Sequence, residues 1–404
     1  MMTYQTLSFT QLVRAPLNEA YRMFTNATAL REWLCDVATV VAKPAGRIYL
    51  AWNNGYYTSG EFTSVTPKEK LGFTWQGRNE PASSQVQVSF VEKGSGTLIT
   101  LEHSGIGTGK AWANSRSEIE KGWKVGLENL SSVIESGEDL RLVRRPMLGI
   151  TLGDFNANKA KEINVPVTEG ILLDGVLDGM GARDAGLQKD DVLVGMAGNA
   201  ANDFTSLANV LDDFHGGDKV EVVFYRGPEK KTVMMELSKR PIPDIPQSAK
   251  ELARGVQKIY DQVNTDLDTF LVGVKEEEAA FKPAPEEWSV KEVIAHFIQG
   301  ERFTHQYISE MVFSEERVSD GYGENLQSYV EATVSAYPTL EDLVLEFKRN
   351  SAETIGILKK LPDDFVARKS TFWRMSYNLL QDPYHYLSHK DQMQTALDMA
   401  RSKK

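Results

Sequence analysis

Three of the chain's six histidines are spaced so that they could share one metal ion. His385 and His389 lie four residues apart in Pro383-Tyr384-His385-Tyr386-Leu387-Ser388-His389-Lys390-Asp391-Gln392. On an α-helix that offset turns the side chains by roughly 40° and leaves their Cβ atoms about 6 Å apart. His296, in Trp288-Ser289-Val290-Lys291-Glu292-Val293-Ile294-Ala295-His296, is the candidate third ligand, from a neighbouring helix. Three neutral imidazoles leave one or more positions open for water or substrate, which is the arrangement of a reactive ion. The competing reading makes His385 and His389 ordinary polar positions of an amphipathic helix. Gln392, one turn beyond His389, is expected near the site as an outer or substrate contact. His305, nine residues after His296, falls on roughly the opposite face. The acidic run Glu276-Glu277-Glu278 reads as a solvated loop.

Both segments resemble the DinB-like metal-binding four-helix bundles. Trp288-Ser289 with His296, followed by Glu301-Arg302-Phe303, matches that family's second-helix W-S-x6-H. His385, His389 and Gln392 match its fourth-helix H-x3-H-x2-Q. The resemblance covers about residues 245–404. It implies a divalent ion (Zn²⁺, Ni²⁺, Fe²⁺ or Mn²⁺) on His296, His385 and His389, a thiol-transferase-like or hydrolytic activity, and a bundle able to form homodimers.

Four helical patterns support the bundle: Lys250 to Leu271, Val290 to Val312, Leu340 to Leu361, and Trp373 to Arg401. Ser289 with Glu292 forms a capping box at the start of the second. Before this segment, two charged, proline-bearing stretches mark boundaries, Asp139 to Pro146 and Lys239 to Pro246, the second too rich in proline to be helical. The expected domains are residues 1–143, 146–240 and 246–404, a multidomain α+β chain.

Residues 1–143 read as a strand, helices from Pro16 to Trp33, a run of strands between Arg47 and Glu102, and a long helix from Ser115 to Ile134. That order, with Ala15-Pro16, Tyr21, Leu30, Trp33 and Gly122-Trp123, resembles the START-like helix-grip fold in its branch of heat-shock ATPase activator homologues. The resemblance implies an antiparallel sheet wrapped on a long C-terminal helix, with an apolar cavity lined by Trp52, Phe73, Trp75, Phe90 and Trp123 and open to a small apolar ligand. The alternative is that these aromatics fill a core. His103 reads as a satisfied core or surface histidine.

Residues 146–240 resemble a bacterial protease-associated PDZ domain, a β-sandwich or barrel with two helices. The resemblance is carried by Leu148-Gly149-Ile150, Gly170-Ile171-Leu172-Leu173, Gly181 to Leu187, Asp191-Val192-Leu193 and Gly217-Asp218-Lys219-Val220. Asp190 stands where that family usually has glycine, and Gly181 where proline is common. The resemblance implies that Leu148, Gly149 and Ile150 hold the C-terminal carboxylate of a partner peptide, opposite Leu207, Val210 and Leu211 on a helix from Phe204 to Phe214. No serine-protease triad accompanies the domain.

The net charge of −11 offers no field for nucleic acid or an anionic membrane. The single cysteine, Cys35, excludes an internal disulfide, and the first residues lack a basic and apolar leader, so the expected setting is the cytoplasm. Two functions remain open: a metal-dependent transferase or hydrolase, and a non-catalytic adaptor in which the peptide module recruits a partner and the metal is structural.

Overall fold

The computed structural model describes residues 3–211, 213–318, 326–381 and 389–403. These pack into two compact units, one made of Met1–Trp52, Tyr57–Glu138 and Pro243–Lys404, the other of Asn53–Tyr56 with Asp139–Ile242.

The larger unit begins with β1 (Tyr4–Val13), α1 (Leu17–Thr25) and α2 (Ala27–Trp33). Then come β2 (Val37–Val40), β3 (Arg47–Ala51), β4 (Tyr57–Thr66), β5 (Lys70–Gly77), β6 (Ser84–Lys93), β7 (Gly96–Gly107) and the long α3 (Ala113–Glu135). The strands form an antiparallel sheet in the order β1-β7-β6-β5-β4-β3-β2. Period-2 alternation sets its inner face: Val86, Val88 and Phe90 of β6 are buried while Gln85 and Gln87 point out. Against that face α3 lays Ile119, Trp123, Leu127, Leu130 and Val133, all buried. This is the helix-grip arrangement expected from the sequence. Strand β2 had no sequence signal strong enough to be anticipated, because four residues cannot display a period.

The smaller unit contains β8 (Ile150–Gly153), β9 (Ile171–Val176), β10 (Val192–Met196), β11 (Asn199–Ala200), α4 (Phe204–Leu211), β12 (Lys219–Arg226) and β13 (Glu229–Glu236). Its sheet runs β13-β12-β10-β9-β8, so β8 is an edge strand. Asp190 has φ of 66°, the left-handed region that glycine occupies most easily. The Gly181 N–H donates to Ser238 Oγ at 2.8 Å, a bond proline could not make. The departure at Gly181 thus has a local cause, whereas Asp190 adopts the backbone conformation for which the family's glycine is suited.

The chain then returns to the larger unit as α5 (Ala249–Phe270), α6 (Val290–Phe313), α7 (Gln327–Ala336), α8 (Leu340–Leu358), α9 (Lys369–Leu380) and α10 (Lys390–Ser402). Ser289 caps α6 as anticipated: its hydroxyl accepts from the Glu292 N–H at 3.2 Å, and Glu292 Oε2 accepts from the Ser289 N–H at 2.9 Å. Apolar residues gather in two layers. Val293, Phe297, Phe347 and Leu397 belong to one, and Leu252, Ile308, Ile355 and Phe372 to the other. The pattern expected to run unbroken from Trp373 to Arg401 is described on either side of residues 382–388, with His389 as the N-cap of α10. The acidic run is not a solvated loop. Glu276–Ala279 is one helical turn, Glu276 accepts from Lys291 Nζ at 2.5 Å, and Glu278 is buried and paired with Arg401 at 3.4 Å.

Candidate metal centre

His296 stands in the second turn of α6, buried among Val293, Ile294, Phe297 and their neighbours in the first apolar layer. The capping box fixes where that helix starts, and therefore which way position 296 points. His389 comes from the other end of the chain, and the two imidazole centroids lie 5.1 Å apart with planes inclined at 63°. Two imidazoles bound through nitrogen at about 2.0–2.1 Å to one tetrahedral ion have centroids about 5 Å apart. Edge-to-face packing gives similar spacing, so distance alone fits both.

Second contacts narrow the options. His389 Nδ1 lies 2.8 Å from Gln392 Oε1. An amide oxygen only accepts, so Nδ1 carries the proton and Nε2 is the acceptor nitrogen of the ring. Trp288 covers the pair. Its ring is 5.0 Å from His296 and 6.4 Å from His389, nearly parallel to the latter at 23°. Its indole N–H donates to Gln327 Oε1 at 2.8 Å, and Gln327 Nε2 in turn reaches Glu292 Oε1 at 3.2 Å. Phe297 packs on His389 at 5.6 Å. Trp288 was singled out only as part of a motif; Gln327 gave no sequence signal, because its contact joins separate helices.

His385 lies outside the described residues. Among the described residues no group of three or more histidine, cysteine or acidic side chains is placed to hold a metal. His305 does not join the pair; its Nε2 lies 2.8 Å from the Thr354 hydroxyl, which donates to buried Glu301 at 2.7 Å alongside the Tyr260 hydroxyl at 2.7 Å.

The aromatics expected around an apolar cavity divide. Trp75 and Trp123 meet at 5.4 Å, whereas Phe90 packs on Tyr21 and Phe24, each at 5.5 Å, and Phe73 on Phe62 at 5.6 Å. Trp52 is half-buried, its indole donating to Leu34 O at 2.6 Å. His103 is fully buried: Nδ1 accepts the Trp123 indole N–H at 3.0 Å, and Nε2 bonds Ser84 Oγ at 2.7 Å. Burial lowers its pKa to about 4, so the ring is neutral. In the smaller unit Leu148, Leu207 and Leu211 are buried in the core, while Ile150 and Val210 are half-buried beside it. A separate cleft of about 620 Å³ is lined by residues including Met180, Gly181, Met234 and Ser238.

Comparison with known proteins places two families on the chain. Residues 14–135 match the family described as Activator of Hsp90 ATPase homolog 1-like protein, and residues 259–392 match the DinB superfamily. The Serine protease Do-like HtrA of Lactococcus lactis subsp. lactis (strain IL1403) is 27% identical over 158 residues, covering 36% of this chain and 38% of that protein. The Periplasmic pH-dependent serine endoprotease DegQ of Escherichia coli (strain K12) is 25% identical over 203 residues, covering 50% of this chain and 42% of its own length. The chain therefore spans less than half of these relatives. Among solved structures, an HSP90 activator from Plasmodium falciparum is 25% identical with a TM-score of 0.29, covering 32% of this chain and 94% of that one. Among the described residues, no helix is long and apolar enough to cross a membrane.

Proposed function

We propose that the chain is a divalent-metal protein whose ion is held by His296, His385 and His389, and that it acts as a metal-dependent transferase or hydrolase on a thiol or water nucleophile. The observation that carries this is the approach of His296 and His389 to 5.1 Å, with Gln392 holding His389 in the tautomer protonated at Nδ1. The DinB superfamily, typically divalent-metal-binding, supports the same assignment. When bound, the ion supplies positive charge that neutral imidazoles do not cancel, which lowers the pKa of a nearby water or thiol. Gln392 orients His389, and Trp288, tethered through Gln327, excludes water from one side of the imidazole pair. Zn²⁺, Ni²⁺, Fe²⁺ and Mn²⁺ all accept this donor set. Conjugation of low-molecular-weight thiols to an electrophile by tag-free protein tests the activity. Turnover that is lost on chelation and restored by one of these ions supports it, and turnover insensitive to chelation contradicts it.

A second reading is supported by the smaller unit. Its edge strand β8 carries half-buried Ile150 and exposed Leu152, and exposed Phe204 begins α4. A PDZ-like module of this kind adds a partner's C-terminal strand beside β8. The chain is then an adaptor with a structural metal. We place it in the cytoplasm, on the strength of its single buried cysteine.

A further inference from the structure

The part of the chain matching the Hsp90-activator family and the part matching the DinB superfamily are joined by a buried polar interface. Neither family's match extends across it. Glu32, near the end of α2, is buried; it accepts from the Ser370 hydroxyl at 2.7 Å and the Thr371 hydroxyl at 2.6 Å, both in the first turn of α9. Arg22 Nη2 pairs with the same carboxylate at 3.2 Å and with Glu19 at 2.8 Å. A carboxylate beside the first turn of a helix also faces the positive end of its dipole.

A second contact lies at the other bundle helix. Beyond the C-terminal end of α6, the Glu316 N–H donates to Thr28 Oγ1 at 2.9 Å, and the Asn26 amide donates to Ser314 O at 3.0 Å. The Glu316 carboxylate is shared by Arg31 at 3.0 Å and Arg374 at 2.9 Å. Burial raises the Glu316 pKa against the pull of Arg374 and Arg31, so desolvation is substantial. Arg368 ties the two contacts together by donating to Ser314 Oγ and Val312 O. Apolar packing closes the third side. Gly137, just past α3, sits against the Trp373 side chain and the Lys369 carbonyl, and Lys369 Nζ donates to Glu135 O at 2.8 Å.

Separating the two parts would take the Ser370 and Thr371 hydroxyls from Glu32 and Arg31 from Glu316, leaving each buried carboxylate with only the arginine of its own part, Arg22 or Arg374. An interface of this kind opens entirely or not at all. We propose that the α1–α2 corner locks the helix-grip sheet and the helical bundle into one cooperative unit, so that a ligand stabilising either part stabilises the other by the same factor. The smaller unit lies between the two parts in sequence.

Hydrogen exchange of the full chain tests the lock, with residues 192–226 as the internal reference. Thr371→Val deletes one hydroxyl from Glu32 at constant shape. It should speed exchange about tenfold in both the sheet, residues 84–107, and α6, residues 290–313. Glu32→Gln should accelerate both further. Acceleration confined to the bundle, or to the sheet, overturns the proposal, as does no change in either variant. Should Glu32→Gln fail to fold, Thr371→Val alone decides between a shared and a confined response.

Discussion

Across the space between the sheet and α3, the Trp123 indole N–H donates to His103 Nδ1 at 3.0 Å. Because that nitrogen accepts, Nε2 carries the proton and donates to Ser84 Oγ, whose hydroxyl continues to Trp75 O at 3.2 Å. Protonating His103 would set two N–H groups face to face.

The sign of the pH effect follows. His103 has its pKa lowered from 6.5 to about 4, so between those values the unfolded chain binds a proton that the folded chain does not. This contribution is complete above pH 6.5 and lost as pH falls towards 4, amounting to about 3 kcal/mol. Denaturant unfolding at a series of pH values should show His103→Gln less stable than the parent at pH 7 and the gap narrowing by that amount at pH 4. A gap independent of pH would refute the buried neutral imidazole.

Gly137 has φ of 88°, and a Cβ there would stand 2.7 Å from Trp373 Cβ and 2.8 Å from Lys369 O. Gly137→Ala combines backbone strain with overpacking and should destabilise the larger unit by about 2–4 kcal/mol. Calorimetry on Gly94→Ala provides the contrast, since φ there is 63° but nothing lies within 4 Å of the added methyl. Equal losses in the two variants would remove the packing part of the explanation.

Peptides ending in an apolar residue should bind the smaller unit through a free carboxylate. Amidating the terminus should weaken binding by about 2 kcal/mol, the loss for leaving backbone donors unpaired. Fluorescence anisotropy on matched acid and amide peptides measures this. Equal affinities would exclude carboxylate capture at Leu148-Gly149-Ile150.

How far the sequence could be read depended on the range of each interaction. Local signals were clear: the Ser289–Glu292 box, the alternation of β6 and the 3.6-residue period of α5, α6 and α8 gave elements close to those observed. Motif spacing also singled out His296 and His389, which the fold brings together from positions 93 apart by number. Short elements escaped, as with β2 and the Glu276 turn, because neither is long enough to show a period. Long-range pairing escaped as well. Glu32 and Thr371 look like ordinary helix-surface residues until α2 meets α9, and Trp288 gives no hint of covering two imidazoles until Gln327 takes its indole N–H.

Metal uptake by the full chain, purified without a histidine tag and titrated with Zn²⁺, Ni²⁺, Fe²⁺ and Mn²⁺ under chelator competition, bears most directly on the function proposed. The expected result is one divalent ion per chain, lost in His296→Ala, His385→Ala and His389→Ala while circular dichroism shows the helices intact. Parent protein that takes up none of the four ions, or alanine variants that bind as tightly as the parent, would contradict the metal centre and the activity assigned to it.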